Sequence, residues 1–446
     1  MFSRALYYPT IDIKNEAWLK SAVLYWDRIE TIVPESIQQP YQRRTTRALE
    51  DSGILFPHRV NPNSEEVRGL ELDVATYQNT KAVEKQSLKD YKRNSNLELY
   101  RIITMLAIVA HHYVVNSGLM GGAISCADFN TRNVFFLLFG MWGKTGINCF
   151  VLITGYFMCT SQITLRKFLK LMLQIEFYAF VISLPFWFYH YEGFSIKVLV
   201  LRLIPVTMVS DGFTSCFILF WLTIPFLNVL IRNMDRKMHL RLIVLCLFIY
   251  TAVLCIPTGG VRMNYVSWFI VLYFISSYIR LYPEYIYRSN STKTWGWLSF
   301  AAVLLAVGSV VFLLWRNDVY ERTKQVYFFV SDSNAILALL VGVTTFMFFK
   351  NLRIPHNKFI NAVGGTTFGV LLIHAHSDVM RHWLWRDTVD CVGHYSDAYY
   401  YLYAPVAVLC IFSVCSCIDY IRIHTIEKWI FQWIDRKVTQ LFRGER

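Results

Sequence analysis

The chain has 446 residues, of which 55% are hydrophobic, 16% aromatic and only 17% charged, and it carries a formal net charge of +13. A soluble domain of this length needs more charge to cover its surface, so the composition excludes an ordinary globular enzyme and points to a polytopic membrane protein. The basic residues come as short clusters between apolar runs, which suits cytoplasmic loops lying against anionic lipid and argues against a nucleic-acid partner.

Residues 1–95 differ from the rest, being polar, mixed in charge and without a spanning segment. They carry no secretory signal, because Asp12, Lys14, Asn15 and Glu16 stand where an apolar core is needed. The pattern predicts a strand near Ala5–Pro9 and a helix over about 16–33, with Trp18, Ala22, Tyr25 and Trp26 on one face. The charged stretch 81–93 reads as a linker or juxtamembrane helix. The whole segment is expected to be a small cytoplasmic extension, α/β or irregular, that is free to dock on a partner protein.

From Leu97 onward, apolar runs of about 20 residues alternate with short polar loops. Ten spans are expected, near 98–117, 133–157, 168–190, 214–231, 239–256, 265–282, 295–315, 334–350, 359–378 and 400–420. A shorter run at 197–208 reads as interfacial or re-entrant. The fold class is thus an all-α membrane bundle, spanning over 96–421. Lys and Arg recur in alternate loops (Arg166, Lys167 and Lys170; Arg232, Arg236 and Lys237; Arg280, Arg288 and Lys293; Lys350, Arg353 and Lys358) and in the tail 422–446. The charge bias predicts a multi-pass protein of the cell membrane with both termini in the cytoplasm. The ten cysteines form no CxxC pair, so neither a zinc site nor a thioredoxin-like motif is suggested, and no metal or tightly bound cofactor is expected. Cys126 and Cys391 fall in expected outer loops, which leaves a disulfide between them open.

The first span, "RIITMLAIVAHHYVV" (101–115), holds an arginine and two histidines. Arg101 and His112 are eleven residues apart, which returns to within about 20° of the same direction after a rise of roughly 16 Å. They share a helix face, with Arg101 near the cytoplasmic surface and His112 past the midplane, while His111 points elsewhere and is read as structural. Ionisable groups inside a membrane are costly and tend to mark function. The blander alternatives are an Arg101 that snorkels to the headgroups and a His112 that bonds a neighbouring helix. Three more polar side chains lie in apolar runs. Asn148 can donate to an oxygen that turns negative in a transition state, or lock two helices. Lys144 can bind an acceptor or snorkel. Glu176 can contact substrate, or pair with Arg101 or another buried cation. Gly143 and Gly146 are expected to permit close helix packing.

The chain here resembles the membrane-bound acyltransferase family 3. Arg101 and His112 match its arginine, ten residues, then histidine in the first span. "GKTGINCFVLITGYFM" (143–158) is similar to its second-span signature, with Thr154 where serine is more usual. "FWLTIPFLNVLI" (220–231) resembles its mid-chain segment, and "TTFGVLLIHAH" (366–376) its late-span segment, which places His374. The resemblance covers about 96–430 and implies an O-acetyltransferase. It implies acyl transfer, commonly of acetyl from acetyl-CoA, to a hydroxyl of an extracytoplasmic or lipid-linked glycan. On that reading Arg101 holds a phosphate of CoA, and neutral His112 is either the general base or the carrier of an acyl-histidine. His374 orients a partner or contacts substrate.

Two departures stand out. Residues 1–80 weakly resemble the start of an uncharacterised soluble bacterial family. The tail "IRIHTIEKWIFQWIDRKVTQLFRGER" is basic and amphipathic, which suits a helix on the inner leaflet rather than an extra hydrolase-like domain. The other functions weighed are a glycolipid transporter or flippase without acyl chemistry, which no internal repeat supports, and an anchor that displays residues 1–95.

Overall fold

In the computed structural model the described residues run from 94 to 443, except 162, 192, 194, 197–211, 254–262 and 322–324, with side chains described to 436. They belong to the second of two units, Tyr91–Arg446. The expectations for 1–93, for the run at 197–208 and for Cys255 lie outside them.

Every element in the described residues is helical, and no strand occurs among them. In chain order the helices are α1 (Ser95–Val115), α2 (Thr131–Gly140), α3 (Gly143–Met158), α4 (Leu165–Phe188), α5 (Phe213–Arg232), α6 (Arg236–Leu247), α7 (Tyr265–Leu281), α8 (Thr292–Val319), α9 (Ile336–Asn351), α10 (Lys358–His374), α11 (Asp378–His382), α12 (Tyr400–Arg422) and α13 (Lys428–Arg443). Polar residues start many of them. The side chains of Asn130, Asp235, Asn264, Ser291 and Asn357 each accept a backbone N–H of the first turn, satisfying donors that the helix itself leaves open. Within a bilayer the helix is the one open-ended element that satisfies its own backbone, which is why apolar runs of this length fold this way.

A helix stands at each of the ten expected positions. By length and composition, however, five are able to cross a membrane: Thr131–Met158, Leu165–Phe188, Phe213–Arg232, Thr292–Val319 and Tyr400–Arg436. A sixth is added if Lys358–His374 and Asp378–Thr388, bent by 96°, are one broken span. The others fall short for visible reasons. The first helix carries Glu98, Arg101 and two histidines, α6 carries Arg236, Lys237 and Arg241, and Tyr265–Leu281 and Ile336–Asn351 are apolar but short.

The first helix is the hub, packed against α2, α3, α9, α10 and α12. Its contact with α2 and α3 depends on missing side chains. A Cβ on Gly140 would lie 2.7 Å from Val114 Cβ, one on Gly143 2.2 Å from the His111 ring, and one on Gly146 2.6 Å from Ile108 Cγ1. Helices α4, α8 and α12 lie at the outside and expose large apolar side chains such as Phe180, Leu184, Phe300, Leu305, Leu409 and Val414. A continuous apolar exterior of this kind suits lipid rather than water. Cys126 and Cys391 both carry free thiols, so the disulfide left open by their positions is not formed.

Candidate active site

The first helix ends three residues after His112, and α10 ends at His374, so the two imidazoles meet where both helices run out. His112 Nδ1 lies 2.9 Å from His374 Nε2, with ring centroids 5.0 Å apart. His374 is fully buried, and its Nδ1 lies 2.6 Å from the carbonyl oxygen of Val370. A carbonyl can only accept, so His374 Nδ1 carries a hydrogen. With His374 neutral, its Nε2 is then a bare acceptor, and the hydrogen shared with the first helix belongs to His112 Nδ1. His112 Nε2 is left with its lone pair. Backbone carbonyl, His374 and His112 thus form a chain that sets the tautomer of the last ring, as a hydrogen-bond partner does for any working histidine.

His111 takes no part in this chain. Its Nδ1 bonds the Gly140 carbonyl at 2.5 Å, tying the first helix to the break between α2 and α3. That agrees with its structural reading. The bent segment after α10 folds back over the histidine pair and brings Trp385, which is fully buried, with its ring 6.4 Å from His374 and 5.8 Å from Tyr113. Among the described residues its indole Nε1 has no hydrogen-bond partner. Sequence reasoning missed Trp385. The only signal was its place in the aromatic run "HWLWRD" (382–387), nine to eleven residues beyond the resemblance's last histidine-bearing helix turn.

The remaining expected residues divide. Lys144 follows Gly143, which packs on the ring of His111 beside the pair. Lys144 Nζ donates to the Tyr265 hydroxyl and lies 3.8 Å from Asp332. Asn148 is fully buried and already engaged, donating to the Ser333 carbonyl at 2.7 Å and accepting from Trp268 Nε1 at 2.9 Å. These bonds bolt α3 to α7 and to the loop before α9, so the interhelical lock is the role its partners provide for, rather than donation to a reacting oxygen. Glu176 does not meet Arg101. Arg101 Nη1 lies 3.2 Å from Glu98 Oε1, because a carboxylate three residues earlier on the same helix is always in reach. Among the described residues neither oxygen of Glu176 has a hydrogen-bond partner, whereas its neighbours Gln174 and Tyr178 both donate to Asp419. Of the alternatives for Glu176, pairing with Arg101 is therefore ruled out.

Arg101 and His112 do share a face, as their spacing requires. Between them lie Met105, fully buried, and Ile108, nearly so and packed against Gly146 of α3. Buried apolar side chains thus separate Arg101 from the histidine pair. Among the described residues no group of three His, Cys, Asp or Glu side chains could hold a metal ion.

A family model described as acyltransferase domain, acyltransferase family 3, matches residues 94–422. The chain belongs to this family. No curated protein and no solved structure matches it. As a member it is a helical membrane acyltransferase, and the matched segment contains every residue of the histidine pair and its surroundings.

Proposed function

We propose that this acyltransferase moves acetyl from cytoplasmic acetyl-CoA to a hydroxyl of a cell-surface or lipid-linked glycan, with His112 Nε2 as the reacting nitrogen. The observation that carries the proposal is the chain from the Val370 carbonyl through His374 to His112, which presents one imidazole lone pair at the end of the first helix. As a general base, Nε2 takes the proton of the acceptor hydroxyl while its oxygen bonds the acyl carbon. The carbon–sulfur bond breaks, and the imidazolium returns the proton to the departing CoA sulfur. As a nucleophile, Nε2 takes the acyl group first and passes it on. Arg101, at the other end of the stripe, is suited to a donor phosphate, and Lys144 beside the pair to an acceptor oxygen.

The same reading sets both termini in the cytoplasm and counts ten membrane crossings, the shorter helices being shielded by their neighbours. At the start of the first helix an open cavity of about 580 Å³ is lined by Lys350, Arg353 and His356, surroundings suited to an anionic donor. The tail helix α13 then lies on the inner leaflet with Trp429 and Trp433 exposed, tethered by Arg166 to Asp435 at 2.8 Å. CoA binds as a substrate rather than a resident cofactor. Residues 1–95 remain available to a partner protein.

The test uses membranes holding wild type, His112→Ala or Arg101→Ala, supplied with radiolabelled acetyl-CoA, with label followed into protein and extracted glycan. Label in glycan that is lost in both variants is expected. Unchanged labelling in His112→Ala would refute the role given to His112. Label held on the protein would select the acyl-histidine route.

A further inference from the structure

The environment of Trp385 points to a second substrate-binding group. A buried donor left without an acceptor costs about 1–3 kcal/mol, and such groups are rare in folded proteins. Trp385 is fully buried, one of the largest side chains in the core, and its Nε1 has no acceptor among the described residues. Its ring stands edge-on to Tyr113, next in sequence to His112, and to His374. The indole that carries the stranded donor therefore packs against His374, one of the two imidazoles that the proposed reaction uses. The side chain first suspected of donating to the reacting oxygen, Asn148, already has both its amide atoms engaged elsewhere.

We infer that Trp385 Nε1–H donates to the carbonyl oxygen of the acyl group as that oxygen becomes negative. This rests on the acyl-transfer reading above and adds a catalytic residue to it. Acyl transfer through a tetrahedral intermediate places a full charge on that oxygen, and a donor fixed in a water-excluded site is worth more there than in the ground state. The indole is suited to the task because it donates and cannot accept, so it offers the oxyanion no competing lone pair. Its protein-side competitor is the face of the Tyr113 ring, towards which an N–H can also point.

Trp385→Phe removes the donor and keeps most of the ring. Two measurements on the purified protein in lipid nanodiscs separate the possibilities. The first is the thermal midpoint without substrate. It should stay level or rise, because the orphan donor is gone; a clear fall would mean that the N–H has a structural partner such as Tyr113, and would overturn the inference. The second is acetyl-CoA turnover, with glycan and with water as acceptor. A fall in kcat of about ten- to a hundredfold in both reactions, with KM for acetyl-CoA nearly unchanged, is expected. A loss confined to glycan transfer would place the donor on the acceptor and overturn the acyl-oxygen assignment, as would wild-type kcat. If wild type itself transfers no acetyl while its midpoint is normal, the functional reading fails before this one is reached.

Discussion

His374→Ala isolates the part of the histidine pair that never touches the acyl carbon. The substitution removes the acceptor 2.9 Å from His112 Nδ1. His112 is then free to rotate and to move its hydrogen to Nε2, where it blocks the lone pair. A buried hydrogen bond lost from one side costs about 1–3 kcal/mol, so kcat should fall roughly ten- to a hundredfold. KM for acetyl-CoA should hold, because His374 contacts only His112 and the Val370 carbonyl in the relay. His112→Ala should cost more, about a hundred- to ten-thousandfold, because the base itself is gone. The double variant should be no slower than His112→Ala alone, since a relay has no value without the ring it positions. His374→Gln, whose amide oxygen can accept from Nδ1–H, should recover part of the rate. The assay is initial-rate acetyl transfer in nanodiscs, with thermal midpoints recorded alongside to separate misfolding from lost chemistry. The relay is refuted if His374→Ala keeps kcat within about twofold, or if the double variant loses rate multiplicatively.

Gly369→Ala should destabilise the bundle by about 1–3 kcal/mol or more, read as a lower thermal midpoint, because a Cβ there would sit 2.1 Å from Asp419 Cγ, and Asp419 is held by Arg422 at 2.7 Å. Cys391 should take maleimide-polyethylene glycol only after unfolding, and the partly exposed Cys126 already in the folded protein, both without prior reduction, since both thiols are free and burial pushes that of Cys391 up to about 12; labelling that requires reductant would revive the disulfide. Met105→Phe should raise KM for acetyl-CoA while sparing the thermal midpoint more than Ile108→Phe does, because an unbranched thioether is the adaptable one of the two and Ile108 is clamped against Gly146.

The polar pairings were hardest to read from sequence, and the reason is geometric. Helix periodicity alone placed Arg101 and His112 on one face, because both lie on one continuous helix. It also marked His111 as pointing elsewhere, and the glycines at 143 and 146 as contact points. The partner of a side chain on another helix depends on rotation about both axes, which hydrophobic spacing leaves open. His374 was visible only through the family resemblance, and its 2.9 Å contact with His112 could not be computed from a separation of 262 residues. Asn148 and Glu176 show the same limit. Both were recognised as unusual in apolar runs, yet one proved to be a bolt among three elements, and the other does not pair with the arginine. Span counting failed differently. Hydropathy penalises the first helix for Glu98, Arg101 and its two histidines, so the hub of the fold is not counted among the spans while the outward-facing α4 and α8 are.

The apolar stretch between Arg101 and His112 bears on why the family's two polar groups stand eleven residues apart. A transferase that takes a charged donor from one side and an acceptor from the other needs polar groups at both mouths. A continuous polar channel between them would also conduct water and ions. Met105 and Ile108 set buried apolar side chains along the roughly three helical turns between Arg101 and His112. On the acyl-transfer proposal, a donor arm that runs along this stretch must find partners for its amides or part the helices, since a polar group buried without a hydrogen bond is costly.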